Sequence, residues 1–195
     1  ERMQNIEYEI FTTVLKKILE YIVPLQQFGR SIAILDCLLS FADIAITYHY
    51  VRPTLREDGT LCISEGRHPV VETVLKDDQF VPNNTLLDDE HQLLVITGPN
   101  MAGKSVYLRQ VAVIVLLNQI GSFVPAKKAD ISIVDRIFVR SGASDMISEG
   151  LSTFMVEMVE TAQILNAATS RSLVIMDEIG RGTSTYDGIS IAWAV

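Results

Sequence analysis

Cysteine is nearly missing from this chain of 195 residues, which carries only Cys37 and Cys62. Neither sits in a CxxC pair or a Cys/His spacing, so neither a disulfide framework nor a zinc site is suggested, and a reducing cytosol is the expected setting. Basic charge is also short: 16 Lys and Arg stand against 24 Asp and Glu, for a net charge of −8. A surface of that sign does not wrap nucleic acid or an anionic membrane non-specifically, so any DNA contact must be local or made elsewhere. Long apolar runs are lacking too. The run at residues 111–117 is bounded by Gln110 and Asn118, far short of the roughly 20 residues that a membrane span needs. No start methionine and no basic segment leading into a hydrophobic core opens the chain, so no signal peptide is expected. Eleven glycines and six prolines are too few for a collagenous or low-complexity protein.

What is there describes a folded chain, with 48% hydrophobic and 21% charged residues and a mean hydropathy of +0.27. Its length suits one domain, or one plus part of a neighbour. Ile6, Ile10, Val14, Ile18 and Ile22 recur at a spacing of four, the stripe of a long helix. Pro24 interrupts it, and Leu25, Phe28, Ile32, Leu35 and Leu39 resume it, which predicts a kinked helix or two helices meeting near Val23. A boundary near residue 50 follows, marked by Arg52-Pro53 and the turn at Glu57-Asp58-Gly59. Beyond it strand and helix signals alternate: strands at residues 61–64, 93–97, 132–139 and 173–176, helices at 104–120 and 154–168. That alternation predicts an α/β sandwich with a mostly parallel sheet. The acidic excess lies in residues 51–96, with 4 basic and 9 acidic groups, while residues 97–195 carry 8 and 9. Neither end carries a helix cap or stop signal, so the chain reads as a fragment of something longer.

Two motifs carry chemistry. Gly98-Pro99-Asn100-Met101-Ala102-Gly103-Lys104-Ser105 matches GxxxxGK[ST] between an apolar strand signal and a helix. Small residues there let successive backbone N–H groups converge on phosphate oxygens, and the helix offers its positive end to the same anion. Lys104 would bridge β- and γ-phosphates and the Ser105 hydroxyl would ligate Mg²⁺. The bland alternative is a strand-turn-helix with a solvated lysine. The second motif, Leu173-Val174-Ile175-Met176-Asp177-Glu178, reads as a buried strand delivering two acids at its carboxyl end, where ligands of open α/β sheets bind. Asp177 fits the Mg²⁺ role through water, and Glu178 fits a base for the attacking water. An acid beside the metal ligand favours a hydrolase over a kinase; a strand simply exiting into solvent is the competing view.

Between these motifs lies Ser152-Thr153-Phe154-Met155-Val156-Glu157-Met158, and after the second comes Gly180-Arg181-Gly182-Thr183-Ser184-Thr185-Tyr186-Asp187-Gly188. With GPNMAGKS and MDEIGRGTSTYDG in one chain, the sequence resembles the MutS family of DNA mismatch repair proteins, of the bacterial type, in its P-loop, ABC-type ATPase domain. Gly66-Arg67-His68-Pro69 and Phe80-Val81-Pro82-Asn83 also look like that domain, so the resemblance covers at least residues 60–195. Residues 1–50 are similar, more weakly, to the end of the family's core and lever helices. The resemblance therefore implies a helical arm at 1–50 and an ATPase domain at 51–195, cut short at its C-terminus.

The resemblance further implies ATP and Mg²⁺ as ligands, composite sites in a homodimer, and a cytoplasmic, nucleoid-associated setting. Mismatched double-stranded DNA would be read by domains outside this chain, and a MutL-type partner would be recruited. Ser152 takes the place of the serine that reaches the partner's γ-phosphate, although a serine after Gly150 at a helix start also serves as a plain N-cap. Phe80 matches an aromatic that stacks on adenine; by itself it reads as part of a short strand. Asn100 would bond the γ-phosphate or its water, or else stabilise the turn. The stretch from Arg181 to Asp187 would sense the other site, with Asp187 as an N-cap the plainer role. His68 is expected to be structural. Ala102 replaces a glycine and Val106 a threonine common in the family, and neither removes a ligand. His49, His68 and His91 all precede the phosphate loop, so none matches the family's histidine beyond the second motif. Rival readings are a paralogue or another ABC-type DNA-maintenance ATPase, a non-hydrolysing assembly scaffold, and a P-loop kinase.

Overall fold

A computed structural model describes residues 2–75, 80–141, 153–180 and 182–195. It divides into two compact units, Glu1–Ile44 and Ala45–Val195. The first contains α1 (Arg2–Glu20) and most of α2 (Ile22–Thr47). The expected junction near Val23 falls at Tyr21, whose amide bonds Ile18 O at 3.0 Å while its carbonyl accepts from Leu25 N. Pro24 therefore lies in the first turn of α2, where a helix has no use for its missing N–H. No residue of either helix is buried, so the stripe from Ile6 to Ile22 gains nothing from burial within the described residues.

The second unit begins from its strands: β1 (Thr54–Arg56), β2 (Leu61–Gly66), β3 (Asn83–Leu87) and β4 (Lys128–Ser132). They form one sheet in the order β1-β4-β2-β3. Strand β2 pairs antiparallel with both neighbours, and only β1 and β4 run parallel. A second sheet joins β5 (Ile137–Arg140) to β6 (Leu173–Met176) in parallel, with Ile137 opposite Leu173 and Arg140 opposite Met176. Helix α4 (Lys104–Gln119) packs against β2, β5 and β6. Its Ile114 and Val115 are fully buried with Ile63, Val124 and Ile131, and Leu173 and Ile175 join the same core. The remaining helices are α3 (Pro69–Val74), α5 (Thr153–Ala167) and α6 (Thr185–Ala194).

The fold is thus mixed α/β, but the mostly parallel sheet of a P-loop sandwich is not what the described residues form. Antiparallel pairs need no helical crossover, and strand and helix alternation carries no record of strand direction. Residues 93–97 lie in no ladder, with Leu93 and Val95 about four-fifths exposed; an apolar run predicts a strand but not its partner. The single strand expected at 132–139 is two. Gln119 splits it by bonding the Val134 carbonyl at 2.8 Å and amide at 3.2 Å through its side chain. Phe80-Val81 lies outside a strand, since Pro82 offers no ladder N–H and β3 starts at Asn83.

Candidate functional site

The helix α4 starts where Gly103 stands at φ +90, a left-handed conformation natural to glycine. No side chain caps it, so the first amides of α4 keep their donor capacity for a ligand. Lys104 Nζ curls back to donate to Gly98 O at 2.7 Å and Pro99 O at 2.8 Å. Ala102 N bonds Pro99 O and closes the turn. Met101 also has positive φ and is fully exposed; Asn100 is exposed and Ser105 half-buried.

This loop forms one wall of a cleft of about 850 Å³. Gly98, Pro99, Ala102, Gly103 and Lys104 line it together with Phe80. Asn100, Met101, Ser105, Asp177 and Glu178 are not among its lining residues. Its volume suits a nucleotide-sized ligand. Tyr107, also lining it, bonds the Thr85 hydroxyl at 2.8 Å and Asn84 O at 3.3 Å, fastening α4 to β3. On the rim, hydrogen bonds from the His91 ring and amide hold the Asp88 carboxyl below its ordinary range.

The second motif ends β6 as expected. Asp177 is buried, and Glu178 is exposed with its backbone at φ +57. Arg140, at the end of β5, was not singled out by sequence reasoning, yet its carbonyl accepts from Asp177 N at 2.8 Å. Its guanidinium donates to Asp177 O at 3.2 Å and Glu178 O at 3.4 Å. Glu157 of α5 accepts from Gly180 N and lies 3.6 Å from Arg140 Nη2. The available signal was an arginine closing the apolar run Ile137-Phe138-Val139 and a glutamate inside an apolar helix.

Among the described residues no group of three or more His, Cys, Asp or Glu is placed to hold a metal ion. Ser152 and Arg181 lie outside the described residues. Asp187 is not the cap of α6: Ser184 is, its hydroxyl accepting from Asp187 N and donating to Asp187 Oδ2 at 2.7 Å. The serine hydroxyl thus satisfies one amide of the first turn while the Asp187 carboxylate accepts its proton. His68 is structural as expected: its Nδ1 accepts from Val70 N and Val71 N at the start of α3, and burial pushes its pKa down.

The described residues thus form the class of α/β unit in which a lysine-bearing glycine turn opens an uncapped helix and two acids end a strand packed against that helix. Comparison with known proteins narrows the class. Residues 94–195 match the family model described as MutS domain V. The chain is 58% identical over its whole length to "DNA mismatch repair protein MutS" of Protochlamydia amoebophila (strain UWE25), covering 23% of that protein. It is 58% identical to the protein of the same name from Acetivibrio thermocellus, covering 22%, and 55% identical to that of Clostridium botulinum (strain Okra / Type B1), covering 21%. The chain belongs to the MutS family, and it spans less than a quarter of the length of these relatives. No helix among the described residues is long and apolar enough to cross a membrane.

Proposed function

We propose that this chain is the ATP-binding and hydrolysing part of a mismatch repair protein, coupling nucleotide state to the handling of mismatched DNA. The observation that carries the reading is the loop at residues 98–105, whose Lys104 and uncapped helix start face a cleft shared with Phe80. An incoming triphosphate displaces the Gly98 and Pro99 carbonyls as partners of Lys104 Nζ, exchanging two neutral acceptors for charged ones. Phe80 offers its ring to the base, and Asn100 its amide to the γ-phosphate or the water beside it.

Ser105 and Asp177 supply hard oxygen donors of the kind Mg²⁺ takes, and few protein ligands suffice where phosphate and water complete the shell. Bound Mg²⁺ supplies charge neutralisation for the phosphates. Glu178 accepts the proton of the attacking water, whose oxygen bonds to the γ-phosphorus as the bond to the β-bridging oxygen breaks, releasing ADP and phosphate. Ser152 completes the site of a second copy in a homodimer. DNA contact and recruitment of a MutL-type partner fall to the larger protein, which fits the chain's net charge of −8.

The test is ATP binding and turnover by the full-length protein with and without Lys104→Ala. Loss of the ammonium should weaken ATP binding by about 10-fold or more, the size of a charge-assisted phosphate contact. Unchanged affinity and turnover would overturn the assignment of the loop.

A further inference from the structure

The buried pair of Arg140 and Glu157 sits behind the acids of β6. The two residues are 5% and 3% exposed, yet they approach no closer than 3.6 Å, and Arg140 Nε, 3.6 Å from Glu160 Oε2, has no hydrogen-bond partner among the described residues. A buried ion pair with such loose geometry is a poor source of stability, because desolvating both charges offsets most of their attraction. Its placement is more telling. Arg140 holds Asp177 from both sides, through its own carbonyl and through its guanidinium, and reaches the carbonyl of Glu178 as well. Glu157 holds the amide of Gly180.

Between those two grips lies Glu178, at φ +57. A non-glycine residue in that region is strained and persists where its surroundings over-determine it. The loop beyond is closed further by Gly180, where an added Cβ would stand 2.6 Å from the Gly188 Cα, and by Gly182, whose Cβ would stand 3.0 Å from the Phe154 Cα. The end of β5, the first turns of α5 and the loop after β6 are thereby locked into one piece.

We infer that Arg140 and Glu157 are a pair of positioning residues that hold the backbone of Glu178 left-handed and tie the aim of its carboxylate to helix α5. The inference deepens the ATPase reading and rests on it. Since α5 follows directly on Ser152, a shift of that helix in one copy is carried through Glu157 and Arg140 to the hydrolytic acid of the same copy. Neither residue touches the reacting atoms, so the effect falls on turnover and not on nucleotide affinity.

Full-length protein carrying Glu157→Gln tests this, because the amide keeps an acceptor for Gly180 N while removing the charge. Turnover should fall about 10-fold, the scale of a small misplacement of a reacting group, with ATP affinity within about twofold. Arg140→Met leaves Glu157 charged and buried, so the double variant Arg140→Met/Glu157→Gln guards against misfolding. Its turnover should be no lower than that of either single variant, as expected of residues acting as a unit. A lowered melting temperature with kcat unchanged overturns the inference, as do equal losses of affinity and turnover. Absence of Lys104-dependent turnover in the unsubstituted protein overturns the ATPase reading itself; Lys104-dependent turnover indifferent to Glu157→Gln overturns this inference alone.

Discussion

The loop at residues 98–103 is exposed and its carbonyls hold the lysine that follows, whereas the end of β6 is gripped by side chains that are themselves buried. On the loop side, Lys104 bonds two neighbouring carbonyls, contacts that a phosphate can replace at little loss. On the β6 side, Asp177 and Glu178 are fixed through their main chain by Arg140, 37 and 38 residues away. A ligand-binding surface has to reorganise when charge arrives, but a group that activates water works best when its direction is set beforehand. On the proposed reading, the division places adaptability where the anion would bind and rigidity where the proton would be taken.

The comparison breaks most plainly at Glu178. Glu178→Gln should lower turnover by about 100-fold while leaving ATP binding intact, the size of a lost general base; steady-state kinetics beside equilibrium binding separate the two, and unchanged turnover would remove Glu178 from its role. Next in size is Gly180→Ala. The residue has φ +78 and meets the Gly188 backbone, so the substitution should destabilise the unit by about 2 kcal/mol. A drop of several degrees in the ATP-protected melting transition would register it, and a neutral result would show the segment after β6 to be no more rigid than the loop at residues 98–103. Phe80→Ala, on the adaptable side, should weaken ATP binding by roughly 10-fold, the scale of one stacking contact, with kcat little altered.

The smallest effect lies remote from both sides, at His68. Burial depresses its pKa, with the Arg109 charge adding to the effect. Between the folded and the ordinary value the unfolded chain binds more protons, so stability rises with pH through that window and falls as the solution is acidified below the ordinary histidine range. Melting curves from pH 8 to pH 5.5 should show the loss, and His68→Asn, which can still cap α3, should flatten it. An equally steep profile in His68→Asn would assign the dependence to other groups.

Much of the site was legible because its signals are local. The glycine turn, Lys104 and the start of α4 occupy adjacent positions, and the four apolar residues before Asp177 form β6 as predicted. The break near Pro24 and the structural role of His68 were legible for the same reason: each depends on a proline or a cap acting within a few residues. Arg140 was missed because its meaning depends on Glu157, Asp177 and Glu178, and nothing in the run Ile137-Phe138-Val139-Arg140 points to them. For Asp187 the plainer expectation was an N-cap, but Ser184 takes that position three residues earlier, its hydroxyl accepting from Asp187 N and donating to Asp187 Oδ2.

By itself the sequence determined the family, the loop, the carboxylates and most helix limits, since each depends on residue identity over one or two turns of chain. Tertiary structure alone decided strand direction and partnership. It set β2 antiparallel between β3 and β4, left residues 93–97 outside any ladder, and brought Arg140 and Glu157 together behind the acids. Hydrophobic period says that a segment can be buried on one face, but backbone pairing is chosen among all segments at once, by which combination satisfies the most N–H and C=O groups while covering the apolar surface of α4.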